Sequence, residues 1–229
     1  MRFDKLWKLL ALGVLLAACR DAAIQSSESA TSTSSERNVV KLELAATNTG
    51  SSDRLTVSNP RVAKLVAAAV AQYRQTVYYD PSYVRLSYPN GDVPKDRGVC
   101  SDVVIRALRG VGIDLQVKLH EDMRAYWSAY PKLWNLRRPD ANIDHRRVAN
   151  LMTFFARGGD ALRVSSTVDA YRPGDLVAWR LDSGRLHIGV VTDQLAPSRN
   201  PLMAHNIGAG VQLEDVLFGW KVIGHYRVI

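Results

Sequence analysis

The apolar residues of this chain change their period once, and that change constrains the fold more than any other feature. From Asn59 to Gly159 they recur at helical spacing; from Asp175 onward they come in short runs separated by Gly, Pro, Asp or Asn. Asn59-Pro60 supplies a cap and a proline at the first helical position, which predicts a helix from Pro60 to about Thr76. A second helix carries Val103, Val104, Ala107, Leu108 and Val111 and closes at Gly110 or Gly112. A third spans about Asp114 to Ala129, and a fourth runs from Asp144, its N-cap, to Arg157. Strands follow at Asp175–Trp179, Leu186–Thr192, Pro201–Asn206 and Val222–Val228. Between the first two helices, Asp80-Pro81, Tyr88-Pro89-Asn90-Gly91 and Val93-Pro94 mark turns around a short extended piece, Val84–Tyr88. The pattern predicts an α+β fold in which N-terminal helices pack on a C-terminal antiparallel sheet.

The first residues have a different character. Arg2, Lys5 and Lys8 precede a short apolar run, Leu9–Leu16, and Leu16-Ala17-Ala18-Cys19 ends it on small residues and a cysteine. The run is short for a bilayer span and fits an export signal. Leu-Ala-Ala-Cys looks like the bacterial lipobox, which makes residues 1–18 a lipoprotein signal peptide and Cys19 the lipidated first residue of the mature chain. An ordinary signal peptide with a chance cysteine is the plainer alternative. Arg20, where an aspartate would retain the protein at the inner membrane, favours the outer membrane in a two-membrane cell. The expected location is therefore exported and membrane-anchored. Residues 19–58, rich in Ser, Thr, Ala, Asn and Glu, read as a tether with one possible strand at Val39–Leu44, and 59–229 as the folded domain.

Two cysteines in an exported chain suggest a disulfide, but a lipidated Cys19 leaves Cys100 without a partner. Cys100 falls in the first turn of the second helix, where backbone N–H groups and the helix dipole favour a thiolate. Its spacing to Val103, Val104 and Ala107 equally fits a small core residue. Downstream, His187 and Gly189 share one strand face and Ile188 and Val190 the other, so the glycine would leave open space beside the imidazole. His205 and Asn206 are adjacent in the next strand and point to opposite sides, so only one of them can orient His187.

The net charge of +8 stays positive when the signal residues are removed, which suits anionic wall polymers or lipid headgroups. Nucleic acid is not an expected partner: the chain is exported, and Arg137-Arg138 and Arg146-Arg147 are the only arginine doublets in a scattered basic surface. His120-Glu121-Asp122 diverge around a helix, and no metal or cofactor is expected. His145 and His225 read as structural or exposed, and Trp127, Trp134 and Trp179 as core residues.

Gly174-Asp175-Leu176-Val177, His187-Ile188-Gly189-Val190-Val191 and Ala204-His205, downstream of a helix-borne Cys100, resemble the NlpC/P60 branch of papain-like cysteine peptidases, whose members cut peptide bonds in peptidoglycan. More specifically, Tyr79-Asp80-Pro81-Ser82-Tyr83, Arg97-Gly98-Val99-Cys100, Asn142-Ile143-Asp144-His145-Arg146-Arg147 and His205-Asn206-Ile207-Gly208 resemble domain-of-unknown-function family 1287. The resemblance implies a papain-like fold with Cys100 as nucleophile, His187 as base, paired with the thiolate, and His205 as the residue holding the base. The Cys100 N–H is an expected oxyanion donor, with Tyr79 or Asn90 as the second and Asn206 as a further polar candidate. One departure stands out. The usual peptidase motif reads Asp-Cys-Ser-Gly, and this chain has Val99-Cys100-Ser101-Asp102. The expected activity is hydrolysis of an amide bond in peptidoglycan peptides through a thioester; an acyltransferase or lipid hydrolase and a non-catalytic wall-binding module are the alternatives.

Overall fold

The computed structural model describes residues 53–229. The signal peptide, Cys19 and the possible strand at Val39–Leu44 lie outside the described residues. The folded unit reaches further back than Asn59. Leu55 N–H donates to Asp193 O at 2.6 Å, Leu195 N–H donates to Asp53 O at 2.7 Å, and Arg54 pairs with Asp193 at 3.1 Å.

Helix α1 is Pro60–Val70, capped by Asn59, whose side chain accepts from the N–H groups of Arg61 and Val62. It stops short of Thr76 because the chain turns instead, with Arg74 at φ 64°. Helix α2 is Cys100–Arg109, α3 is Leu115–Ala125, and α4 is Val148–Arg157. Asp144 does not cap α4. It opens a separate 3-10 turn, Asp144–Arg146, where its carboxylate accepts from the Asp140 N–H at 2.5 Å and from Arg147 at 3.0 Å. The Val84–Tyr88 piece is not a strand. Two dipeptides on either side of it pair in parallel instead, β1 (Tyr78–Tyr79) with β2 (Arg97–Gly98).

The fold is α+β, with helices on an antiparallel sheet as the periodicity predicts. Strands β3 (Leu176–Arg180), β4 (Leu186–Leu195), β5 (Pro201–Asn206), β6 (Val211–Glu214) and β7 (Lys221–Tyr226) stand in the order β6-β5-β4-β3-β7. All neighbours are antiparallel. Strand β6 has no counterpart in the sequence reading; it pairs Val211 with Asn206 and Glu214 with Met203.

Strand alternation gives the sheet two different faces. Leu176, Ala178, Ile188, Val190 and Ala204 face the helices and meet Leu65, Val104, Leu108, Leu119, Leu151 and Phe155, all nearly inaccessible to solvent. Val177, Trp179, Val191 and Met203 face the other way, onto Tyr171 and Leu217, with Trp220 and Val222 at the margin. Burial at about 25 cal/mol per Å2 drives both layers. The helix-side layer is aliphatic, and the far layer is built around indoles.

Candidate active site

Helix α2 presents Cys100 at its first position. Val99 offers no side-chain acceptor, so the helix start is held by Asp102, whose Oδ2 accepts the Val99 N–H at 2.7 Å. Asp102 also takes Nε and Nη2 of Arg146, each at 2.9 Å, and both side chains are almost fully buried. Ser101 Oγ donates to Arg146 O at 2.6 Å, and Arg146 donates onward to Ser82 O and Asp80 O. One ion pair thus fastens the helix start, the 144–146 turn and the loop after β1. The Asp102 carboxylate is committed to Arg146 and to the backbone.

These elements enclose a cleft of about 550 Å3 with Cys100 on its floor and Tyr79, Tyr83, Trp134, Arg146, Arg147 and Arg185 among its walls. Trp134 is not a core residue: it is 49 % exposed, and the Arg147 guanidinium lies 4.1 Å from its ring centroid. Trp127 is half-buried against the helix layer, and Trp179 is fully buried. Tyr79 lines the cleft beside the sulfur, and its hydroxyl is pushed above the ordinary tyrosine range by burial and then by the negative charge Cys100 carries once ionised. Asn90 is elsewhere. Its N–H bonds Asp114 at 2.7 Å at the start of α3, and it is not among the residues lining the cleft, so the second oxyanion candidate that geometry leaves is Tyr79.

The Cys100 thiol is 5 % exposed. Burial pushes it up to about 11; the Asp102 charge adds to the rise, while hydrogen bonds from the backbone of Ile188 and of the helix start oppose it. The dipole of α2 therefore does not produce a resting thiolate. The thiolate–imidazolium pair implied by the family resemblance is not the ground state here, because desolvation outweighs the helix start.

The histidines occupy the indole face. His187 pairs across the strands with Trp179 and stacks on it at 5.6 Å between centroids, with Trp220 edge-on at 5.7 Å. His187 Nε2 lies 2.9 Å from His205 Nδ1, and the rings are nearly perpendicular. His205 Nε2 lies 2.9 Å from Glu214 Oε2 in a bent contact, with the ring N–H off the line to the oxygen. Burial, then the charge of His205, lowers His187 to about 3; burial lowers His205 too, against the pull of Glu214. Both rings are neutral at physiological pH. Gly189 opens no space beside them: a Cβ there would meet Ala204 O at 3.0 Å, His205 Cβ at 3.1 Å and the Trp179 ring at 3.2 Å. The glycine instead lets indole and imidazole close up.

His205 and Asn206 diverge, and His205 is the one that meets His187. Asn206 Nδ2 donates to Gly98 O at 3.0 Å and more weakly to Tyr78 O at 3.4 Å, so it clamps β1 to β2 just ahead of Cys100 and is not a free donor to substrate. The backbone of Ile188, the residue after His187, reaches the Cys100 sulfur, which places the sulfur one residue along the strand from the imidazole-bearing position. His145 is buried, lowered to about 4 by burial, and His225 is buried against Asp175 at 2.7 Å, so both are structural. Among the described residues no three His, Cys, Asp or Glu side chains converge as a metal site. Glu214 escaped the sequence reading because β6 did.

Residues 66–228 match the model of the family described as domain of unknown function DUF1287, and the chain belongs to that family. Over 156 residues it is 57% identical to the uncharacterized protein YijF of Escherichia coli strain K12, covering 68% of this chain and 76% of that one. Among solved structures it is similar to a Staphylococcus aureus protein described as similar to lipoprotein, NLP/P60 family (13% identity, TM-score 0.38), and to NlpC1 from Trichomonas vaginalis (15%, TM-score 0.35). These matches cover 78% and 76% of this chain but only 44% and 46% of theirs, so the chain spans under half the length of either protein.

Proposed function

We propose that this protein is a cell-envelope cysteine hydrolase that opens an amide bond in peptidoglycan peptides. The reading rests on one observation above the others: the 2.9 Å bond between His187 Nε2 and His205 Nδ1, on the strand whose next backbone unit reaches the helix-start sulfur of Cys100. A histidine held by a second histidine has a fixed ring orientation, which a general base needs. The bond engages Nε2 and leaves Nδ1 to act.

In this reading the resting pair is neutral thiol and neutral imidazole. His187 takes the Cys100 proton as sulfur attacks the carbonyl carbon; the C–N bond breaks, and the proton passes to the departing amine. Water then attacks the thioester, giving its proton to His187, and releases the acid and the thiol. The Cys100 N–H and the Tyr79 hydroxyl are the donors for the oxyanion. The lipidated Cys19, the membrane anchor and outer-membrane placement belong to the same proposal, and peptidoglycan is the partner they bring within reach.

Incubating the full chain with muropeptides, and separately with lipid, tests the reading by mass spectrometry. Cleaved muropeptide with wild type and none with Cys100→Ala is the expected result. Acyl transfer or lipid cleavage would move the protein to the alternative activities. The buried thiol, held near 11, favours a second reading, a wall-binding module with no chemistry; binding unaffected by Cys100→Ala, with no turnover, is the result that selects it. Alkylation of Cys100 is expected to stay slow at neutral pH and to accelerate toward pH 11, and fast labelling at pH 6 would contradict the neutral resting pair.

A further inference from the structure

We infer that Glu214 is a positioning residue that selects the basic nitrogen of His187, acting through His205. The inference rests on the hydrolase reading for its catalytic meaning, but its structural content does not depend on it. Glu214 lies at the end of β6, in register with Met203, diagonally across from His205 and on the same face of the sheet. Its Oε2 is 2.9 Å from His205 Nε2.

The proton positions follow from hydrogen-bond chemistry. A carboxylate can only accept, so although the ring N–H points off the line to its oxygen, the negative charge 2.9 Å away favours the proton on that His205 nitrogen. A neutral His205 protonated on Nε2 has a bare Nδ1. That atom accepts across the 2.9 Å contact with His187, so His187 Nε2 carries its proton. Neutral His187 is then bare at Nδ1, the one nitrogen free to take a proton from a thiol. With Glu214 absent, the two-histidine bond can be made equally well in the reverse sense, with His205 donating and His187 protonated on the wrong nitrogen. The carboxylate breaks that tie. Because Glu214 is 46 % exposed, its removal leaves no cavity.

The direct test is 15N-detected correlation of imidazole nitrogens in the full-length protein, with His187 assigned by comparison with His187→Gln. Wild type is expected to show His187 bare at Nδ1 and protonated at Nε2. Glu214→Ala is expected to show the two tautomers mixed, and Glu214→Gln, whose amide oxygen still accepts, to stay near wild type. An unchanged Glu214→Ala spectrum, or wild-type His187 protonated on Nδ1, overturns the assignment. On muropeptides, kcat is expected to fall roughly tenfold or more in Glu214→Ala with little change in KM; a shifted tautomer with unchanged kcat overturns the positioning role. A wild-type protein with the expected tautomer and no turnover sinks the hydrolase reading while leaving the tautomer assignment in place.

Discussion

The helix face of the sheet buries far more side chains than the far face, and the two do so by different means. On the helix side, aliphatic side chains fill the space, and charged groups sit at its edge in ion pairs such as the almost fully buried Asp102 with Arg146. On the far side, two histidines are packed among indoles and bonded to each other. An aliphatic layer sets position, and a layer of bonded rings sets orientation. The thiol belongs to the first and the imidazoles to the second, so in the proposed reaction each group would be held by the kind of packing its role requires.

Four changes would break or sharpen this contrast. Arg146→Ala should be the most damaging, because it strands the Asp102 carboxylate and frees the 80–82 loop: a loss of about 3–5 kcal/mol in urea unfolding is expected. A loss under 1 kcal/mol would mean the pair is a surface-like contact. Gly189→Ala should cost about 1–3 kcal/mol through overpacking, and should also disturb the His187 ring signals, since the new Cβ pushes on His205 and Trp179. Third is the acid response. His187 and His145 have folded values near 3 and 4, below their unfolded values, so between those values and about 6.5 the unfolded chain binds more protons and stability falls as pH falls. Each contributes a slope of about 1.4 kcal/mol per pH unit in its window, and His187→Phe should remove the His187 share without touching that of His145. A wild-type stability that stays flat from pH 6.5 to 4 would contradict the buried neutral rings. Smallest in stability is Trp134→Ala, within about 0.5 kcal/mol because the ring is exposed. Under the proposed activity it should raise KM for muropeptides, and an unchanged KM would remove Trp134 from the proposed substrate wall.

The sequence revealed most where local rules act alone. Asn59-Pro60 marks the start of α1, and Pro201–Asn206 emerges with the boundaries its turns suggest. Alternation alone separates His205 from Asn206. Long-range choices were hidden. Asp102 and Arg146 are joined across 44 residues, and nothing in either segment says that the first-turn acid will turn from the sulfur toward an arginine. Strand β6 has four residues and β1 and β2 two each, too short for periodicity to register, and with β6 went Glu214. The thiol also misled: a helix start announces stabilisation of negative charge, whereas the desolvation that overrides it depends on packing that only the assembled fold contains. Trp134 was misplaced for the related reason that a large aromatic reads as core until its guanidinium neighbour is known.

The closing residues of β5 carry a consequence for how this gene can change. His205 serves one side of the sheet and the adjacent Asn206 the other, each with its own distant bonds. Adding or deleting a single codon within that strand would swap imidazole for amide and disarm both sides together, whereas in the exposed 197–200 turn just before it a length change costs only the bonds of Ser198 and Asn200 to Asp215. Insertions and deletions across the family should accordingly collect in that turn and stop abruptly at Pro201.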